Sequence, residues 1–276
     1  MAVIPEFSWP NEPIELPFHG NTFVLMPSTD TLACTISAFD PSGNLDFSAG
    51  GRRIRRLLSC LAWTHRARIV ELFCLGSNMP DRPGLMGTGN YARSFWQQTV
   101  PAEYVYVPYV TDPKALRALA LFREGLSVNS DSFAFLSHFK VLNVLFSSGP
   151  EQTKWINANL RHVESYNGAS RLEALLASGL DDIGAYLYHQ GRCAVAHAFD
   201  ENIVDPDDYD ATDRLSEDLG LMEELAFICI EREFRVPSSD RFWASHRGIL
   251  PSSYSTLLRK VVTGGERIRY VAEGQA

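Results

Sequence analysis

The sequence contains no run approaching the roughly 20 apolar residues that a bilayer-crossing helix needs, so no membrane span is expected. Its opening stretch, Met1 to Pro10, has no basic segment leading into an apolar one, and no secretory signal is expected there. Cysteines number five (34, 60, 74, 193 and 229). They are scattered, odd in number and lack any C-x-x-C pair. That usage argues against a disulfide framework and fits reduced thiols in a cytoplasm. A His-Glu-x-x-His stretch and a serine-hydrolase elbow are both missing, which removes two common hydrolase chemistries. Gly84-Leu-Met-Gly-Thr-Gly89 has the glycines of a phosphate loop but not its Lys-Ser/Thr ending. Neither an internal repeat nor a low-complexity tract is present.

Positive charge is in deficit. The net charge is −8 and the pI is near 5.4. Such a chain does not coat nucleic acid nonspecifically, because that binding scales with the phosphates neutralised. A local positive pocket remains compatible with it. Carboxylates crowd Asp200–Asp218 against a single arginine, Arg214, whereas basic charge gathers at Gly51-Arg-Arg-Ile-Arg-Arg56.

With 276 residues, 45% hydrophobic and 21% charged, the chain has material for one large or two modest domains. Residues 1–110 read as a β-rich N-terminal domain. Its candidate strands are Thr22–Met26, Leu32–Phe39, Ala67–Leu75 and Glu103–Val110, the third a nearly continuous apolar run expected to be buried. One helix, about Arg52 to His65, interrupts them. Its apolar stripe is Ile54, Leu57, Leu58 and Leu61, and Arg52, Arg53 and Arg56 lie largely off that stripe. Gly76 to Asn90 reads as a long loop.

Residues 111–276 read as a helical domain, which makes the whole an α+β protein. Asp112-Pro113 supplies an N-cap and a proline at the first helical position. Phe133–Phe146 is apolar around most of its circumference and is expected at the centre of a bundle. Further helices are expected through His162, over Ser170–Ser178, over Asp181–Phe199 and over Thr212–Phe234. A short helix near Ser253–Lys260 and a strand, Arg267–Ala272, are expected at the end.

The helix Asp181–Phe199 carries Arg192 and His197. An arginine supplies a fixed charge and a histidine moves protons near neutral pH. On an ideal helix the two stand about 140° apart, at roughly 100° per residue. They share a face only where the helix distorts, or contribute to one site from two copies of the chain. The structural alternative is an Arg192 paired with Asp181, Asp182 or the acidic loop, and a His197 in a core hydrogen bond. His189, Cys193 and His197 also form an i, i+4, i+8 stripe, but a structural zinc site usually wants four ligands, and no metal is expected. Tyr188 offers an aromatic face beside the pair. His138 and Lys140 stand on the preceding core helix.

Ala118–Leu126, Phe133–Asn143 and Gly191-Arg-Cys-Ala-Val-Ala-His-Ala198, in this order, resemble the HEPN superfamily. More narrowly they resemble its Apea-type members and the methylamine-utilisation J group. The resemblance covers about residues 112–235. It places the superfamily's R-x4-6-H motif on Arg192 and His197, and it departs at Asn143, where many members carry glutamate. What it implies is a helical bundle that forms a homodimer with the motif helices facing each other. In active members this is a metal-independent endoribonuclease, without cofactor, in stress or anti-phage defence. His197 would exchange protons with the 2′-hydroxyl and Arg192 would stabilise phosphate charge. Arg52, Arg53, Arg56, Tyr188 and Lys140 are the candidate RNA contacts, since arginine clusters grip phosphate and aromatic rings stack on bases. RNA, and a regulatory protein, are the expected partners; DNA and membrane are not. The competing expectation is a noncatalytic dimerisation scaffold whose N-terminal domain binds a partner or ligand.

Overall fold

The computed structural model describes residues 1–29, 33–39, 46–73, 99–100, 106–196, 204 and 208–246. The chain divides into two units. The first joins Met1–Tyr109 to the stretch that begins at Pro237, and the second is Val110–Val236.

In the first unit five strands form an antiparallel sheet: β1 (Ala2–Pro5), β3 (Ile14–Phe18), β4 (Asn21–Met26), β5 (Cys34–Ala38) and β6 (Ile69–Phe73). Their order is β3-β4-β5-β1-β6. Alternation along β3, β4 and β5 turns Leu16, Phe18, Phe23, Leu25, Cys34 and Ile36 into the core. Such a period of two is what one buried face produces. The β3–β4 hairpin closes on His19 and Gly20, at φ 48° and 71°. Two consecutive positive φ values match the strand twist, and glycine takes the second without strain. Pro17, which cannot donate to a ladder, is tolerated because β3 is an edge strand. β2 (Trp9–Pro10) and β7 (Thr99–Val100) form a separate parallel pair.

Two readings of the strands need correction. β6 is the opposite edge, and of its residues up to Leu72 only Ile69 is buried. Its apolar run is therefore not a central strand. Residues 106–110, expected to be extended in a sheet, are irregular. Tyr106 and Val110 are nevertheless buried, and that burial accounts for their apolar character.

Helix α1 (Phe47–His65) starts five residues before its expected beginning, because Asp46 caps it through a bond from the Ala49 amide at 2.9 Å. Its buried stripe holds Ile54, Leu57, Leu58 and Leu61 as read from the sequence. Arg52 and Arg56 are exposed, Arg53 donates to Asn21 at 3.3 Å, and Arg55 pairs with Glu71 of β6 at 2.8 Å. The stretch from Pro237 closes this unit. Trp63 Nε1 and the Tyr106 hydroxyl both donate to the Pro237 carbonyl, and Phe242 stacks on Tyr106. Phe242 belongs to α9 (Ser239–His246), residues that the sequence reading had joined to the helical domain.

The second unit is helical: α2 (Pro113–Ser127), α3 (Asp131–Asn143), α4 (Gly149–Asn159), α5 (Tyr166–Ala177), α6 (Ile183–Tyr186), α7 (Ala194–Ala196) and α8 (Tyr209–Arg232). A 3₁₀ turn, Leu160–His162, follows α4, and a π-helical stretch, Leu187–Cys193, joins α6 to α7. Asp112, Ser130, Ser148, Ser165, Asp182 and Asp208 cap their helices, Ser148 in a reciprocal box with Glu151. α3 packs against both α2 and α8. Phe135, Phe139, Val141 and Leu142 of α3 are fully buried, in line with its nearly all-round apolar sequence. The proposed loop 76–90, Cys74, the segment 84–89, the terminal helix and strand, and His197 lie outside the described residues.

Candidate functional site

Arg192 does not sit on a regular α-helix. The expected continuous helix opens at Leu187 into seven residues of π-helix and tightens again at Ala194. π turns carry i→i+5 hydrogen bonds, are rare, and concentrate at functional sites. Two glycines shape this one. At Gly191 an added Cβ would lie 2.6 Å from Cε1 of the Phe135 ring, so only glycine lets α3 approach this closely. At Gly149 the same atom would lie 2.6 Å from Cζ of Tyr188. The Tyr188 ring is thus seated on the first residue of α4.

Above that ring lies the Arg192 guanidinium, 5.7 Å from its centroid. This is within the range of a cation–π contact. Arg192 also donates to Cys193 Sγ at 3.7 Å. His189 meets Tyr188 edge-on, with centroids 5.0 Å apart, and is exposed. A cation, an aromatic face and an imidazole therefore share a partly open surface. That combination can hold a phosphate.

Of the other residues read from the sequence, Lys140 is exposed on α3, next to the buried Phe139 that approaches Tyr188. His138 is not at this surface: it is 1% exposed, edge-on to Phe122 and wedged against Gly125. Asp182 is engaged in capping Ala185 and in a 2.8 Å bond from Asn157. The Ala185 amide chiefly holds its carboxyl below the usual range. Arg52, Arg53 and Arg56 belong to the first unit. Among the described residues no three His, Cys, Asp or Glu side chains gather as metal ligands.

Behind the π stretch lies a cluster that the sequence reading did not anticipate. Asp218 of α8 is fully buried. It accepts from Arg171 Nε of α5 at 2.8 Å and from the Tyr186 hydroxyl at 2.9 Å, and Arg214 lies 3.6 Å away. Burial pushes the Asp218 carboxyl above its ordinary value, and the bonds from Arg171 and Tyr186 oppose that rise. Burial likewise raises the Tyr186 phenol. Arg171 also pairs with Glu217. Arg214 extends Nη2 to the Gln190 carbonyl at 2.8 Å, inside the π stretch and two residues before Arg192. The sequence offered one signal: Arg214 is the lone cation of the acidic run, and Asp218 stands one helical turn beyond it.

Residues 118–231 match the family model described as methylamine utilization protein MauJ. The MauJ-like region is less than half of the 276 residues, and it spans most of α2 through nearly all of α8. Tyr188, Arg192 and the whole Asp218 cluster fall inside it. No curated protein and no solved structure matches the chain.

Proposed function

We propose that the MauJ-like helical unit is a HEPN-type, metal-independent endoribonuclease whose site is completed by two copies of the chain. The observation that carries this reading is the presentation of Arg192 on a π-helical break, with its guanidinium over Tyr188. Two glycines, Gly191 against Phe135 and Gly149 against Tyr188, fix the place of this break.

In this reading Tyr188 holds the Arg192 guanidinium in place, and Arg192, with Lys140 from α3, attracts the phosphate. His197 takes the proton from the 2′-hydroxyl, whose oxygen attacks phosphorus. The P–O5′ bond breaks, and the leaving 5′-oxygen receives a proton from the second copy's His197. The products are a 2′,3′-cyclic phosphate and a 5′-hydroxyl. Positioned acid–base help is worth roughly 10²–10⁴-fold, and a preorganised cation at the developing charge adds several kcal/mol.

The test is cleavage of total RNA in EDTA by wild type, Arg192→Ala and His197→Ala, with the new ends analysed. We expect cyclic-phosphate ends from wild type and at least a roughly 10²-fold loss in either variant. Cleavage that survives both substitutions would falsify the assignment. An inert wild type would favour the scaffold alternative.

A further inference from the structure

We infer that Arg214 is the positioning residue of the Arg192 site, acting as a clamp from α8 that holds the π stretch open. This deepens, and rests on, the endoribonuclease reading given above. π turns are rare inside helices, and breaks in a helical ladder occur where a side chain engages its backbone. The Gln190 carbonyl has such a partner. Arg214 Nη2 reaches it at 2.8 Å, a charge-assisted bond. The other guanidinium nitrogen, Nη1, lies 3.5 Å from the Tyr186 hydroxyl and 3.6 Å from Asp218. Arg171 and Tyr186 also donate to that carboxylate, on its two oxygens, and neither bond reaches the Gln190 carbonyl.

Tyr186 and Gln190 bracket the first half of the π stretch, and Arg214 touches both. Without the clamp, the Gln190 carbonyl is released to an ordinary i+4 partner. Absorbing the extra residue turns everything downstream by about 100°, the rotation per residue of an α-helix. Arg192 and Tyr188, four residues apart, would remain neighbours as on any helix, but the pair would turn against α3 and α4, where Gly191 and Gly149 now fit Phe135 and Tyr188. Only a forked side chain spans the two attachments. A lysine keeps the charge beside Asp218 and loses the second reach.

The experiment compares wild type, Arg214→Lys and Arg171→Lys in the full chain. Arg171 serves as the control, because it holds Asp218 but makes no described contact with the π stretch. All three are followed by backbone amide exchange and, with single-stranded RNA in EDTA, by kcat and KM. In Arg214→Lys we expect a retained cooperative melt and about tenfold faster exchange confined to residues 192–196. We also expect kcat to fall about tenfold or more with KM little changed, the mark of lost transition-state alignment. Arg171→Lys should leave exchange at 192–196 as in wild type. Unchanged exchange there in Arg214→Lys overturns the clamp. So does equal acceleration in Arg171→Lys, which would show general loosening. If wild type cleaves no RNA, the endoribonuclease reading fails, and the exchange comparison still decides the clamp.

Discussion

At the scale of single residues, burial sorts chemically similar groups into reactive and inert. Cys60 is fully buried and its thiol is pushed up to about 12, and burial raises Cys229 as well. Cys34 is also fully buried, while Cys193 is partly open beside Arg192. Thiolate, not thiol, is the nucleophile, so reaction follows both exposure and ionisation. Among these four, native protein treated with iodoacetamide at pH 8 should label Cys193 first, as located by peptide mass spectrometry. Equal labelling of Cys60 would contradict the packing of α1. The same sorting separates the two histidines of interest on the described surface and core. His138 looked available on a helix near the site, yet it fills space against Gly125 and Phe122. His189 is exposed against Tyr188. A sequence shows which residues ionise; which of them meet solvent is settled by partners far along the chain.

Elements were legible where their causes are local. The cap at Asp112 and the apolar girth of α3 follow from side chains within a few positions of each other. β1 and β3 were missed because each is short and carries a proline, and the partners of β1 lie far along the chain. The π stretch was unreadable for a related reason: Gly191 is a helix-weakening residue until Phe135 is known to lie against it. That contact gives a direct test. Gly191→Ala should cost about 1–3 kcal/mol through overpacking, measured by denaturant unfolding. Adding Phe135→Leu should recover part of that loss, since residues in contact are coupled rather than additive. Full additivity would mean the ring is not what requires glycine. For the candidate site, Arg192 and Tyr188 were visible as residue types, but Arg171 joins Arg214 and Asp218 only through the packing of α5 on α8, and Arg214 reaches Gln190 only through the packing of α8 on the π stretch.

At the scale of the whole molecule, the two units are threaded one within the other along the chain. The first begins at Met1, is left at Tyr109 and is rejoined at Pro237. Deleting everything from Pro237 onward removes the acceptor of both Trp63 Nε1 and the Tyr106 hydroxyl, together with the ring stacked on Tyr106. A buried donor left without its acceptor costs about 1–3 kcal/mol. Thermal unfolding of the truncated chain should therefore show the first unit melting earlier and the Val110–Val236 transition unmoved. A shift of both transitions would contradict the division. The same threading sets an order of events during synthesis. Domains tend to fold as units while the ribosome elongates the chain, at roughly 5–20 residues per second. The helical unit has all of its residues once Val236 emerges, whereas the first unit, though begun earlier, still awaits Pro237 and α9. Of the two units, the one begun first is the one completed last.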